Sequence, residues 1–261
     1  MDYQDILYKE ESGVATITIN RPDVYNAFRG ITVEEMIQAF SRASWHSSCG
    51  VIVLTGAGDK AFCTGGDQSA HEGHYDGRGA IGLPLEELHS IIRDSPKPVL
   101  ARVQGYAIGG GNVLALICDL TIASERAVFG QVGPKVGSVD PGWGTAYLTR
   151  VVGEKKAREI WYLCRRYPAQ QALQMGLCNC VVPHEQLDAE VDRWCREILE
   201  KSPTALTIAK RSINADSEAI RGIGQLGVQA VSLYYQTEES KEGVNAFREK
   251  RPPEFRKFTK F

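Results

Sequence analysis

Two glycine-rich segments and one serine–aspartate pair hold the residue types from which a reaction could be built. Phe62-Cys63-Thr64-Gly65-Gly66-Asp67-Gln68 and Gly105-Tyr106-Ala107-Ile108-Gly109-Gly110-Gly111-Asn112 each follow apolar, strand-like text, and the second runs into the helix-competent stretch Val113 to Cys118. Glycine lets backbone approach a ligand closely, and NH groups near a helix start attract anions. Two such groups converging on one carbonyl oxygen would form an oxyanion hole, each donor worth on the order of 3 kcal/mol of barrier. Tight turns without chemistry are the other reading of either segment alone. In Gly137-Ser138-Val139-Asp140-Pro141-Gly142-Trp143-Gly144, Pro141 disfavours a helical Asp140 and the glycines imply a loop. Ser138 and Asp140, two apart in extended backbone, would then present side chains on the same side. Taken alone, such a pair is more often a local cap or turn.

Elements with the right periodicity stand ready to position these segments. Val14 to Asn20 and Val51 to Thr55 are β-branched runs bounded by turn residues. Between them Thr32-Val33-Glu34-Glu35 predicts a capping box opening a helix whose apolar face runs through Val33, Ile37 and Phe40. A helix from about Pro84 to Arg93 is stopped by Pro96 and Pro98. Strands follow at Val99 to Val103, Leu120 to Ala123 and Val181 to Val182. Strands alternating with helices predict an α/β core. After Pro183 the strand signal ends, and Leu187, Val191, Trp194 and Ile198 mark one helical face. This divides the chain into a core, 1–183, and a helical region, 184–261, without a linker-like run between them.

Composition narrows the function classes. The net charge of -2 and 24% charged residues supply neither a basic surface for nucleic acid nor the excess charge of a disordered chain. The most apolar run, Tyr106 to Ala123, contains three consecutive glycines, Asn112 and Asp119, so no membrane span is expected. Seven cysteines without a CxxC pair, behind an amino terminus that does not read as a signal, predict reduced thiols in a cytoplasmic protein.

Several familiar motifs fail on context. Gly222-Ile223-Gly224-Gln225-Leu226-Gly227 matches GxGxxG but lies in helical text with no strand before it, so a dinucleotide site is not expected. His71 and His74 flank a glycine in a loop, without the helical spacing of a zinc pair. No GxSxG elbow or P-loop is present, and no metal site is predicted. Cys178 and Cys180 read as buried structural thiols.

The pairing of FCTGGDQ with GYAIGGGN, an NRPxxxNAF segment from Asn20 to Phe28, and FGQVGPK from Phe129 to Lys135 resembles the crotonase, or enoyl-CoA hydratase/isomerase, superfamily over essentially the whole chain. The resemblance implies a ββα superhelix core with a helical C-terminal trimerisation region, and a homotrimer or hexamer. It also implies an acyl-CoA substrate whose thioester oxygen sits on two backbone NH groups, carried over by motif position to Gly66 and Gly110. Thr64, Gly65, Asp67, Gln68, Tyr106 and Gly109 would line the thioester end, and Lys250 would reach the nucleotide phosphates.

Two departures matter. Hydratases of the family carry one glutamate two residues after the glycine triplet and another four residues after the phenylalanine of FGQ. This chain has Val113 and Gly133 there, so the carboxylate pair that adds water to a double bond is missing. The segment through Gly153-Glu154-Lys155-Lys156-Ala157-Arg158-Glu159-Ile160-Trp161 is instead similar to a subgroup comprising the 1,4-dihydroxy-2-naphthoyl-CoA synthases and the 2-ketocyclohexanecarboxyl-CoA hydrolases. In the synthases the residues matching Ser138 and Asp140 are catalytic, together with a tyrosine carried over to Tyr235. The same likeness makes Gln131, Gly133 and Trp161 a niche for bicarbonate, chloride or water.

Charge chooses between the two activities. The loop from Ser69 to Gly79 carries Glu72 and Asp76 with no cation before Arg78, and Tyr25 stands where synthases often have arginine. Both features argue against the doubly anionic substrate of a synthase. Tyr75 is expected to border the acyl pocket. The reading is hydrolytic opening of a cyclic β-keto acyl-CoA, 2-ketocyclohexane-1-carboxyl-CoA, in a reverse Dieckmann reaction. Asp140 would be the base for a water placed with Ser138, and Tyr235 would donate to the ketone oxygen. No metal or redox cofactor is expected, since CoA belongs to the substrate. The synthase, and a non-catalytic scaffold or RNA-binding module, are the alternatives.

Overall fold

The computed structural model describes residues 3–70 and 73–259. It forms two sheets that the chain visits alternately. The strands are β1 Ile6–Glu11, β2 Val14–Ile19, β3 Val51–Gly56, β4 Ala61–Cys63, β5 Val99–Val103, β6 Tyr106–Ile108, β7 Leu120–Ser124, β8 Val128–Gly130, β9 Tyr167–Pro168 and β10 Cys180–Val182. The larger sheet has the order β1-β2-β3-β5-β7-β10 and the smaller β4-β6-β8-β9. Apart from the β1–β2 and β8–β9 pairs, neighbours run parallel. Each turn of the core lays one strand in the large sheet and a shorter one in the small sheet. In the first two turns a helix follows: α2 Leu85–Asp94 after β4 and α3 Gly110–Ile117 after β6. The ββα superhelix expected from the family resemblance is therefore present.

Both faces of the large sheet are covered, which is why β3 is buried at all six positions and reads as a continuous apolar run. One face packs on α1 Gly30–Trp45, burying Val33, Met36 and Phe40. The other is closed by α7 Leu187–Leu199 through Leu187, Val191 and Cys195 against Val51, Val53, Leu100 and Ile122. The remaining helices are α4 Leu148–Val152, α5 Glu154–Leu163, α6 Ala169–Met175, α8 Pro203–Ala215, α9 Ala219–Tyr235 and α10 Glu238–Arg248. Ile220, Val228, Val231 and Tyr235 of α9 belong to the main core. The last quarter of the chain therefore shares the core's packing.

One local expectation is corrected. Thr32 does not start α1: Arg29 is the N-cap, and the Thr32 hydroxyl accepts from the Arg29 NH while donating to Asp5. Glu35 does not complete a capping box either, because its carboxylate takes the backbone NH groups of Gln4 and Asp5. The buried Asp5 and its Arg29 partner claim the groups that the motif would have used. Gly222 to Gly227 lie within α9, and His71 falls outside the described residues. Among the described residues no group of three or more potential ligands could hold a metal ion, and no helix is long and apolar enough to cross a membrane. All seven cysteines are free thiols.

Candidate active site

Because β4 and β6 are parallel neighbours, the loops that leave them emerge at the same edge of the small sheet. The Gly65-Gly66 turn and the start of α3 meet there: a β-carbon on Gly65 would stand 2.9 Å from the Gly110 nitrogen. Gly65 has φ +88° and Gly109 has φ +58°, backbone that L side chains rarely adopt. Phe28 pins the first loop, its NH donating to Gly65 O and its carbonyl accepting from the Asp67 NH. In that parallel bridge the NH of Gly66 turns away from Phe28. The Gly110 NH lies in the first turn of α3, where no intrahelical acceptor exists.

The NRPxxxNAF segment is the clamp behind this loop. Asn26 donates to Ala57 O at 2.9 Å and to Ala61 O at 2.7 Å, closing the turn between β3 and β4. Arg21 donates to Ala27 O and to the Asp67 carboxylate at 2.9 Å, and lies 3.5 Å from Asp5. Burial alone would raise the Asp67 carboxyl, but hydrogen bonds from Ser69 and the Arg21 guanidinium hold it below the usual carboxylate range. Asp67 thus lines the cavity with its carboxylate already engaged. Removing one partner of such a buried pair costs about 3 kcal/mol. Arg21→Met is expected to lower Tm by roughly 8 °C in a calorimetric melt, and an unchanged Tm would show the clamp to be dispensable.

The loops face a cavity of about 620 Å³. Of the residues singled out from sequence, Tyr25, Thr64, Gly65, Gly66, Asp67, Gln68, Tyr75, Tyr106, Gly109, Gly110, Gln131, Gly133, Ser138, Asp140, Trp161 and Tyr235 all line it. Lys250 does not. It follows α10 on the surface with φ +55°, its NH donating to the carbonyl of Phe247, which does line the cavity.

The proton-bearing groups sit together. The Ser138 hydroxyl and the Tyr235 phenol are 2.7 Å apart. Burial raises the Tyr235 phenol, with the Ser138 hydrogen bond opposing and the nearby Asp140 adding to the rise, so it holds its proton at neutral pH. Asp140 accepts the Gly144 NH at 2.9 Å, and burial pushes its carboxyl up to about 6. A carboxylate tuned toward neutrality is what general base catalysis needs. Tyr75 is buried, which raises its phenol well above the ordinary range, and Gln68 donates to it at 3.2 Å.

The Asp140 loop is held by the C-terminal helices. Ser240 donates to Gly137 O at 2.7 Å. Gly142 lies against α9 so closely that a β-carbon on it would be 2.7 Å from Gly224 Cα, and one on Gly227 would overlap Pro141. The failed nucleotide motif thus has a packing role, since two of its glycines form the groove that receives Pro141 and Gly142.

Neither of the two glutamate positions carries a carboxylate. A β-carbon on Gly133 would lie 2.6 Å from Ser138 O and 2.9 Å from the Trp161 ring, and Val113 is fully buried in α3. Trp161 gives its one NH to Gly144 O at 2.6 Å, so it offers the niche a ring face and no donor. Gln131 Nε2 is buried with no hydrogen-bond partner among the described residues.

Three lining or neighbouring groups carry no role in the sequence reading, although Lys135 closes the FGQVGPK segment. Lys135 and Arg166 border the cavity, with the Arg166 guanidinium 5.6 Å from the Tyr106 ring centroid. Glu86 sits behind Asp140 in a second cavity of about 40 Å³. Glu86-Glu87 at a helix start reads as complement to the helix dipole, and nothing local marks it out.

Residues 9–258 match the family model described as enoyl-CoA hydratase/isomerase. Similar solved structures include an enoyl-CoA hydratase from Mycobacterium avium subsp. paratuberculosis, 30% identical with TM-score 0.88 over 97% of this chain and 99% of the other. An enoyl-CoA hydratase subunit from Geobacillus kaustophilus is 31% identical with TM-score 0.74, covering 98% and 99%. OdaA from Pseudomonas aeruginosa is 26% identical with TM-score 0.85, covering 94% and 98%.

Proposed function

The chain belongs to the enoyl-CoA hydratase/isomerase family, and on that premise we propose that it opens a cyclic β-keto acyl-CoA with water. The observation that carries this reading is Asp140, a carboxylate raised to about 6, in the same cavity as the hydrogen-bonded Ser138 and Tyr235 and the two glycine loops. Hydration of a double bond lacks support, because Gly133 and Val113 stand in place of the two family glutamates and a β-carbon at Gly133 would meet Ser138 O at 2.6 Å.

Asp140 takes a proton from water positioned with Ser138, and the hydroxide oxygen bonds to the ring ketone carbon. Tyr235 donates to the ketone oxygen as it gains charge. The bond between that carbon and the α carbon then breaks, and its electron pair moves into the thioester. The Gly66 and Gly110 NH groups hold the resulting enolate oxygen. Return of the proton to the α carbon leaves an open-chain dicarboxylic monothioester. Tyr75 borders the acyl pocket, Lys135 and Arg166 suit the anionic carrier, and Gln131 Nε2 suits bicarbonate, chloride or water as acceptor.

The substrate is assigned as 2-ketocyclohexane-1-carboxyl-CoA. Arg78, the first cation of the acyl-side loop, is spent on Glu34 and Glu87, which leaves no loop charge for a second carboxylate on the substrate. Exposed Ile208, Ile213, Leu226 and Leu233 on α8 and α9 support a homotrimer or a dimer of trimers. Incubation with the ring substrate and mass spectrometry should reveal the substrate mass plus one water. Return of the substrate unchanged overturns the reading, and a naphthoyl chromophore from succinylbenzoyl-CoA would replace it with the synthase. Asp140 must be ionised to accept a proton, so kcat is expected to rise with pH through about 6 and level off above it. A flat profile from pH 5 to 8 would remove Asp140 as the base.

A further inference from the structure

We propose that Glu86 is the outlet of a proton path that drains Asp140 through the small cavity behind it, an inference that rests on the hydrolytic reading above. The chemistry requires such a path. Ring opening consumes water and yields a carboxylic acid that ionises at neutral pH, so one proton per turnover leaves the site. In the balanced sequence, water gives its hydroxide to the ketone carbon and its proton to Asp140, and that proton then goes to the α carbon. The new carboxyl group loses its own proton, which re-protonates Asp140, and this is the proton to be exported.

The geometry points away from the substrate. Asp140, with Ile81, Leu85 and Val139, lines both the large cavity and the small one. The small cavity has room for roughly two water molecules. Its polar wall comprises Glu86, His89 and Ser90 of α2, with Arg221 and Gln225 of α9. His89 is buried and its imidazole is pushed down to about 4 by that burial, so it is neutral at pH 7 and does not hold the exported proton as a cation. Arg221 is committed to Ser90 at 2.5 Å, Asp94 at 2.8 Å and Glu218. Glu86 forms no ion pair among the described residues and is half-buried, between the chamber and solvent. Burial raises its carboxyl, and its charge in turn raises that of Asp140. Two carboxylates sharing a wet chamber are a donor and an acceptor for the same proton.

Glu86→Gln in the full chain keeps the shape and removes the acceptor. The expected result is a kcat at least ~10-fold lower in dilute buffer, KM little changed, and turnover restored in proportion to added imidazole at fixed pH. An unchanged kcat overturns the proposal, as does a loss that imidazole fails to restore, which would mark Glu86 as structural. Should the wild-type protein open no cyclic β-keto thioester, the functional reading fails and the link is judged in the resting protein. There, carbon NMR of aspartate-labelled protein follows the Asp140 titration, whose midpoint should fall in Glu86→Gln because a neighbouring negative charge is gone. A midpoint that stays put overturns the coupling.

Discussion

Asp140→Asn is expected to lose roughly 10² to 10⁴ of kcat and to melt higher than the wild-type protein at pH 7. The first effect follows from removing the base while leaving an oxygen to accept the Gly144 NH. The second follows from proton linkage. Burial raises the Asp140 carboxyl from 3.8 to about 6, so the folded state binds the proton more tightly than the unfolded chain. Its contribution is fully present below the unfolded pKa and is lost as pH rises through about 6. At neutral pH the ionised group therefore costs about 2 kcal/mol, taking ~1.4 kcal/mol per pH unit and discounting for water in the cavity. Asparagine avoids that cost, and Tm should rise by roughly 5 °C. A variant that loses turnover and also melts lower would mean that the carboxylate serves mainly the fold.

The second large effect is expected at Gly66. A methyl group there would overlap the Tyr75 hydroxyl. Either Tyr75 swings into the cavity it lines and crowds the acyl group, or the loop shifts and its NH leaves the position from which it would meet an enolate oxygen. Losing one such donor costs on the order of 10² in rate. Gly66→Ala should fall by about that factor in kcat/KM while still binding a CoA thioester in calorimetry. Gly222→Ala is the control, because a β-carbon there meets nothing within 4 Å and glycine inside a helix costs about 0.5–1 kcal/mol relative to alanine. It should melt slightly higher with unchanged turnover. Equal behaviour of the two variants would detach Gly66 from the chemistry.

The glycines of the site are legible in the amino-acid sequence as the ends of strand-like text, whereas the bounds of those short strands and the separate sheet they form are not. Gly65, Gly66, Gly109 and Gly110 stand out because they follow strand-like text, and each pair ends a strand of the small sheet. Those strands have only three residues each, too short for period-two alternation to register. The large-sheet strands are legible because double-sided burial makes them long apolar runs. Thr32 and Glu35 mislead because four residues alone do not determine a helix start. Asp5, 27 residues away from Thr32, decides that geometry. Glu86 is hidden for the same reason, since what matters about it is a chamber that exists only once α9 has packed on α2.

The groove that Gly224 and Gly227 provide for Pro141 and Gly142 has a consequence for synthesis. Tyr235 and the seat of the Asp140 loop lie on one helix, near the end of the chain. During translation the two glycine loops of the small sheet are synthesised long before that helix leaves the ribosome. A nascent chain that lacks α9 lacks the seat of Pro141 and Gly142, the Tyr235 phenol and part of the main core. Chemistry therefore switches on last, when α9 docks.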